Sequence, residues 1–195
     1  FGVWVLSRHI TVSTVGDAPS KIESLADEAP AVKLAISLHS AQPEVRRDLM
    51  PATGIAEGSL TKLSSALDYH KSKSGIVPMI EYLVIRGFND SPEAAEALAD
   101  FCKARMASEG PSGSGRGGRS SSKHCLLNLI PYNPTSVGDL QGYLSPTEAQ
   151  VEEFRERLKD MGVGSLVRWT SASGRDADGA CGQLVIQSQS NAKLR

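Results

Sequence analysis

Short runs of β-branched and aliphatic residues alternate with amphipathic stretches along almost the whole chain, and this alternation limits the fold more than any other feature of the sequence. Residues 9–14 (HITVST) read as a short strand that ends at Val15-Gly16. Residues 20–29 read as a helix with Ile22, Leu25 and Ala26 on one face, stopped by Pro30. Residues 32–39 (VKLAISLH) are so continuously apolar that they suit a strand covered on both sides, as in a parallel sheet. The pattern repeats with a helix over 60–73, a strand over 77–86, and a helix capped by Ser91, with Pro92 at its first position, reaching about residue 106. A strand over 126–130 is closed by Pro131 and Pro134, a helix over 151–161 starts from Ser145-Pro146-Thr147-Glu148 and ends at Gly162, and residues 166–170 form the last strand. Strand-helix units in one direction with short connections predict an α/β fold with a parallel sheet. A closing sheet would be part of a barrel, and an open one would be doubly wound. Either way ligands belong at the carboxyl ends of the strands, where Ser13, His39, Asn89, Asn133 and the loop after Thr170 gather.

A length of 195 residues suits one core, and 21 Lys+Arg against 22 Asp+Glu give a formal charge of -1. No global positive field exists, so any nucleic-acid contact must be local. No apolar run approaches the roughly 18 residues of a membrane-spanning helix, and no membrane association is expected. The chain begins at Phe1 with no leader behind it, so the expectation is a piece of something longer. Its three cysteines, Cys102, Cys125 and Cys181, include no CxxC pair and cannot form a disulfide framework or a self-contained metal site; a reducing, intracellular compartment is the default. Residues 109–123 (EGPSGSGRGGRSSSK) interrupt the pattern between a helix and a strand. They read as a flexible insertion on the face opposite the strand ends, or as a short basic arm for RNA.

Cys181 lies in Gly179-Ala180-Cys181-Gly182, a loop of small residues that leaves a thiol accessible. Its setting suits a reactive group, or a turn whose glycines serve the backbone alone. Cys102 lies on a helical apolar stripe and Cys125 precedes an apolar strand, so both read as small core residues. His39 closes a strand at the end that faces a barrel mouth; with Cys181 it would permit a thiol nucleophile and imidazole base, and alone it is a hydrogen-bonded strand end. Asn133 sits on a turn between two prolines, a complete structural explanation that also makes a rigid mount for a ligand-binding amide. There is no GxGxxG, phosphate-binding loop, HExxH or metal-ligand cluster.

Five segments taken together, RHITVSTVG (8–16), LAISLHS (34–40), RDLMP (47–51), LNLIPYNP (127–134) and GACGQL (179–184), resemble in order and spacing the radical-SAM RNA methyltransferases of the RlmN type. The resemblance runs from about Arg8 to Leu184 apart from the Gly/Ser insertion. It implies a partial (βα) barrel of the radical-SAM type with parallel strands and its first strands missing, over residues 1–184, followed by a tail over 185–195. It implies that Ser13, Ser37, Leu38, His39 and Asn133 bind S-adenosylmethionine and that Cys181 is the methyl-carrying cysteine. In the scheme of this family the cysteine takes a methyl group from one S-adenosylmethionine. A second is cleaved to a 5′-deoxyadenosyl radical, which abstracts hydrogen from the S-methyl group, and the carbon radical attacks carbon 2 of adenine. That carbon is electron-poor, so polar methyl transfer to it fails.

The family also holds a [4Fe-4S] cluster on a CxxxCxxC motif and uses a GGEP-like segment, a second cysteine and an upstream acid. None of these occurs here, and all are expected upstream of Phe1. The partners so implied are ribosomal RNA, transfer RNA as a second substrate, and an electron donor such as flavodoxin or ferredoxin, with a monomeric enzyme. The cytoplasm is the implied compartment in a bacterium; the insertion hints at a eukaryotic version in a chloroplast or mitochondrion. Three readings stand beside this one: a Cfr-like methyltransferase acting on carbon 8, a Cys181/His39 thiol hydrolase, and a non-catalytic RNA-binding remnant.

Overall fold

The computed structural model describes residues 6–53, 59–103 and 125–169. Five strands, β1 (Thr11–Thr14), β2 (Lys33–Ser37), β3 (Met79–Val84), β4 (Leu126–Pro131) and β5 (Ser165–Val167), form one sheet in the order β1-β2-β3-β4-β5. Every neighbouring pair is parallel. A doubly wound sheet reverses direction at a switch point. Here each crossover adds the next strand on the same side of the last, which places the helices on one face, as in the wall of a barrel. That arrangement decides between the two α/β architectures in favour of the barrel arc.

The helices are α1 (Pro19–Glu28), α2 (Pro43–Leu49), α3 (Ser59–Ser74), α4 (Pro92–Lys103), α5 (Ser136–Leu140) and α6 (Glu148–Asp160). α1 packs on α3 and α4 on α6. Their apolar stripes meet the outer face of the sheet, where Leu34, Ile36, Ile80, Tyr82, Val84, Leu127 and Leu129 alternate with residues of the inner face. Tyr82 stacks on Phe154 of α6, with ring centroids 5.6 Å apart. Cys102 belongs to this core and Cys125 packs against it, as their sequence settings predict. No helix among the described residues is long and apolar enough to cross a membrane.

Several boundaries differ from expectation. Residues 7–9 form a 3-10 turn, not strand, and β1 begins at Thr11. β2 ends at Ser37, because His39 adopts a left-handed backbone with φ +55°. β3 and β5 are shorter than read from sequence, and Thr170 lies outside the described residues. α2 and α5 were not expected at all. Their starts carry ordinary signals, Pro43 in the first turn of α2 and Thr135 capping Gly138 in α5, but both helices are too short to show an apolar period. At α6 the capping residue is Thr147, in a reciprocal box with Gln150. The insertion at 109–123 and the tail at 185–195 lie outside the described residues.

The turn after β1 depends on Gly16, whose φ is +71° and whose added Cβ would stand 2.7 Å from a Leu63 methyl group on α3. Gly75 has a similar φ of +66° with open space around it. Gly75→Ala should therefore cost about 1–2 kcal/mol for conformation alone, and Gly16→Ala roughly 1–3 kcal/mol more for overpacking. Urea unfolding of both variants measures the difference, and equal costs would show that Leu63 yields freely.

Candidate active site

All strands run the same way, so their carboxyl ends form one rim, and the residues expected there are brought to it by different devices. Ser13 is exposed near the end of β1 and Ser37 is the last residue of β2. Asn133 follows β4 on a loop tied down by Tyr132. The backbone N–H of Tyr132 donates to Val84 O at 2.9 Å, and its phenol oxygen accepts from Thr135 N at 3.1 Å. Close approach requires Gly138, where a Cβ would overlap the Tyr132 hydroxyl.

His39 is held from several directions. Its backbone N–H and that of Leu38 both reach Glu81 O, at 3.4 and 2.9 Å. Its carbonyl accepts from Asn89 Nδ2 at 2.8 Å, and its ring Nδ1 accepts from Leu83 N at 3.0 Å. These bonds offset the cost of about 1–2 kcal/mol for a left-handed backbone at a residue with a Cβ. Because Nδ1 is an acceptor, the ring proton is on Nε2. Burial, and next to it the Arg46 charge, lowers the His39 pKa to about 4. His39 is thus a neutral hydrogen-bond donor at neutral pH and lacks the open nitrogen lone pair that a base for a thiol requires. That geometry counts against the thiol-hydrolase reading.

Arg46 on α2 is the residue that sequence reasoning missed. It is 4% exposed, and its guanidinium donates to the carbonyls of Ser37 (3.3 Å), Leu38 and Val15. One side chain so joins the carboxyl ends of β1 and β2. Burial lowers its pKa to about 10, which leaves it charged. No sequence feature singled it out, because α2 is too short to show an apolar period. Asn89 proves structural: it is fully buried and its side chain bonds Ile85 N, Leu83 O and His39 O, while its carbonyl accepts from the Tyr82 hydroxyl. Leu38 is positioned by its backbone. Its side chain is buried in the core and its N–H donates to Glu81 O. Among the described residues, the side-chain polar groups of Ser13, Ser37 and Asn133 are unengaged at the rim, with Nε2 of His39 beside them. Cys181 lies outside the described residues. A cleft of about 400 Å³ lies between the first turns of α6 and the carboxyl end of β5, lined by Glu148, Glu152, Arg155 and Trp169.

A relative from Lactococcus lactis subsp. cremoris (strain SK11), named probable dual-specificity RNA methyltransferase RlmN, is 39% identical over 183 residues, 94% of this chain and 44% of its own length. A relative of the same name from Streptococcus agalactiae serotype Ia is also 39% identical over 94% of the chain. The crystal structure of a radical SAM methyltransferase from Sphaerobacter thermophilus superposes with a TM-score of 0.71 at 32% identity, over 91% of this chain and 44% of that one. Over nearly its whole length the chain is similar to RlmN-type radical-SAM methyltransferases. It spans 44% of the length of the curated relatives it matches. No family model matches it. A domain of pyruvate-formate lyase-activating enzyme from Bacteroides vulgatus shares the fold, with a TM-score of 0.55 at 16% identity. The parallel barrel arc is the part that agrees with the sequence resemblance.

Two outcomes test the rim. Arg46→Met leaves three backbone carbonyls without a donor and should cost about 2–4 kcal/mol in urea unfolding, with Arg46→Lys recovering part; a cost under about 1 kcal/mol would show that water replaces the guanidinium. For His39 the folded pKa of about 4 lies below the unfolded value near 6.5, so the unfolded chain binds the extra proton between those limits. Stability from this residue is complete above pH 6.5 and is lost as pH falls toward 4, by up to about 3 kcal/mol. His39→Asn tolerates the left-handed backbone, so the wild type should lose more stability between pH 7 and 4.5 than this variant does.

Proposed function

We propose that this chain contributes the S-adenosylmethionine rim and the methyl-carrying cysteine of an enzyme that methylates carbon 2 of adenosine in large-subunit ribosomal RNA, with transfer RNA as a second substrate. The observation that carries this reading is the coincidence of Ser13, Ser37, His39 and Asn133 at one rim, with the side-chain polar groups of the serines and Asn133 and the His39 Nε2–H unengaged among the described residues, in a chain of the RlmN type. A neutral imidazole donor, two hydroxyls and a carboxamide match the hydroxyls, amine and carboxylate of S-adenosylmethionine. When bound, that molecule supplies a methyl group and an adenosyl fragment.

The residues of this chain then have distinct tasks. Arg46 and Asn89 hold the ends of β1, β2 and β3 in register. His39 offers a hydrogen bond without accepting a proton. Cys181, flanked in sequence by Gly179-Ala180 and Gly182, would attack the sulfonium methyl carbon as a thiolate: a bond from sulfur to carbon would form as the methyl–sulfonium bond breaks, and neutral S-adenosylhomocysteine would depart. A [4Fe-4S] cluster finds no matching donor set among the described residues, where no group of three or more His, Cys, Asp or Glu could hold a metal.

In the intact enzyme Cys181→Ala should abolish methylated adenosine in RNA while S-adenosylmethionine binding persists. Mass spectrometry and chromatography of digested RNA read the product: 2-methyladenosine is expected from the wild type, and 8-methyladenosine would move the enzyme to the Cfr-like reaction. Undiminished 2-methyladenosine from Cys181→Ala would remove that residue from the mechanism.

A further inference from the structure

The register Ser37↔Glu81↔Asn128 puts three polar side chains on one level of the inner face, across β2, β3 and β4. Ser13, Ala35, Met79 and Leu126 lie one level below and Leu83 and Ile130 one level above. Glu81 is half-buried on the middle strand of a parallel sheet, a place where acidic residues are disfavoured and their desolvation costs stability. Among the described residues no cation pairs with its carboxylate and no donor bonds it. Beside it Asn128 is 1% exposed, and the partner shown for its amide N–H is the thioether of Met79 at 2.8 Å, a weak acceptor. The backbone fixes where this pair stands relative to the rim, since Glu81 O accepts the N–H groups of Leu38 and His39. Polar groups that burden a sheet without a protein partner mark a place kept for a ligand.

We infer that Glu81 is a ligand-contacting residue of the inner face, accepting a hydrogen bond from an adenosine moiety, with Ser37 and Asn128 on either side of it. The inference rests on the function proposed above, under which the site receives adenosine twice, in S-adenosylmethionine and in the RNA target. Both present the same donors, an exocyclic amine and ribose hydroxyls, to an acceptor that has none of its own.

Glu81→Gln and Glu81→Met in the full-length enzyme test it through three measurements: thermal unfolding, affinity for S-adenosylhomocysteine by calorimetry, and kcat/KM for RNA. Both variants should melt at or above the wild-type temperature, because an apolar or uncharged side chain relieves the desolvation cost. At least one binding measurement should fall roughly tenfold or more, as loss of a charge-assisted hydrogen bond implies. A loss in S-adenosylhomocysteine affinity assigns the contact to the cofactor; a loss confined to RNA assigns it to the target base. Affinity and kcat/KM both within about twofold of wild type would overturn the inference. Variants that melt well below wild type would also overturn it, by making Glu81 structural. A wild-type enzyme that binds S-adenosylhomocysteine but leaves RNA unmethylated would sink the proposed function instead, and the affinity measurement would then decide Glu81 alone.

Discussion

A guanidinium buried without a carboxylate partner among the described residues holds the working end of this protein together. Arg46 spends its donors on the carbonyls of Val15, Ser37 and Leu38, the points where β1 and β2 stop pairing and the chain turns away. Strand ends are where a parallel sheet loses its own hydrogen bonds, so those carbonyls need donors from elsewhere. A charged fork can bridge two strands where a neutral side chain would serve one. The joint is reinforced on its other flank by Asn89, which links the ends of β2 and β3 through His39 and Leu83. The rim that carries Ser13, Ser37 and His39 is therefore rigid for polar, not apolar, reasons.

The same joint sets the chemistry available at the rim. A permanent positive charge beside His39, together with burial, keeps the imidazole neutral, and the Leu83 N–H selects the tautomer that donates from Nε2. A base is thereby converted into a fixed donor, which suits recognition of a ligand over proton transfer. The polar level formed by Ser37, Glu81 and Asn128 continues this recognition surface across the inner face of β2, β3 and β4.

Much of the architecture was legible in the sequence because its core elements are long enough to show a period. The stripes of α3, α4 and α6 and the apolar run of β2 predicted their own positions to within a few residues. The misses are short or locally strained. α2 and α5 span fewer turns than a period needs, and His39 leaves the strand only because Glu81, Leu83 and Asn89 pull on it from other elements. The placement of Ser13, Ser37 and Asn133 at strand ends followed from strand direction, whereas the burial of Leu38 followed from register, which sequence alone leaves open.

By itself, the sequence determined that the chain forms parallel β and α units, that its polar residues collect at strand ends, and which family its motifs resemble. Those are local and periodic properties, written in neighbouring residues. Tertiary structure alone decided that the sheet winds in one direction as a barrel arc, that Arg46 and Asn89 serve as joints, that His39 is a neutral donor, and that Glu81 and Asn128 share a level facing inward. Each of these depends on contacts between residues distant in the chain, where strand order and register, not composition, determine which groups meet.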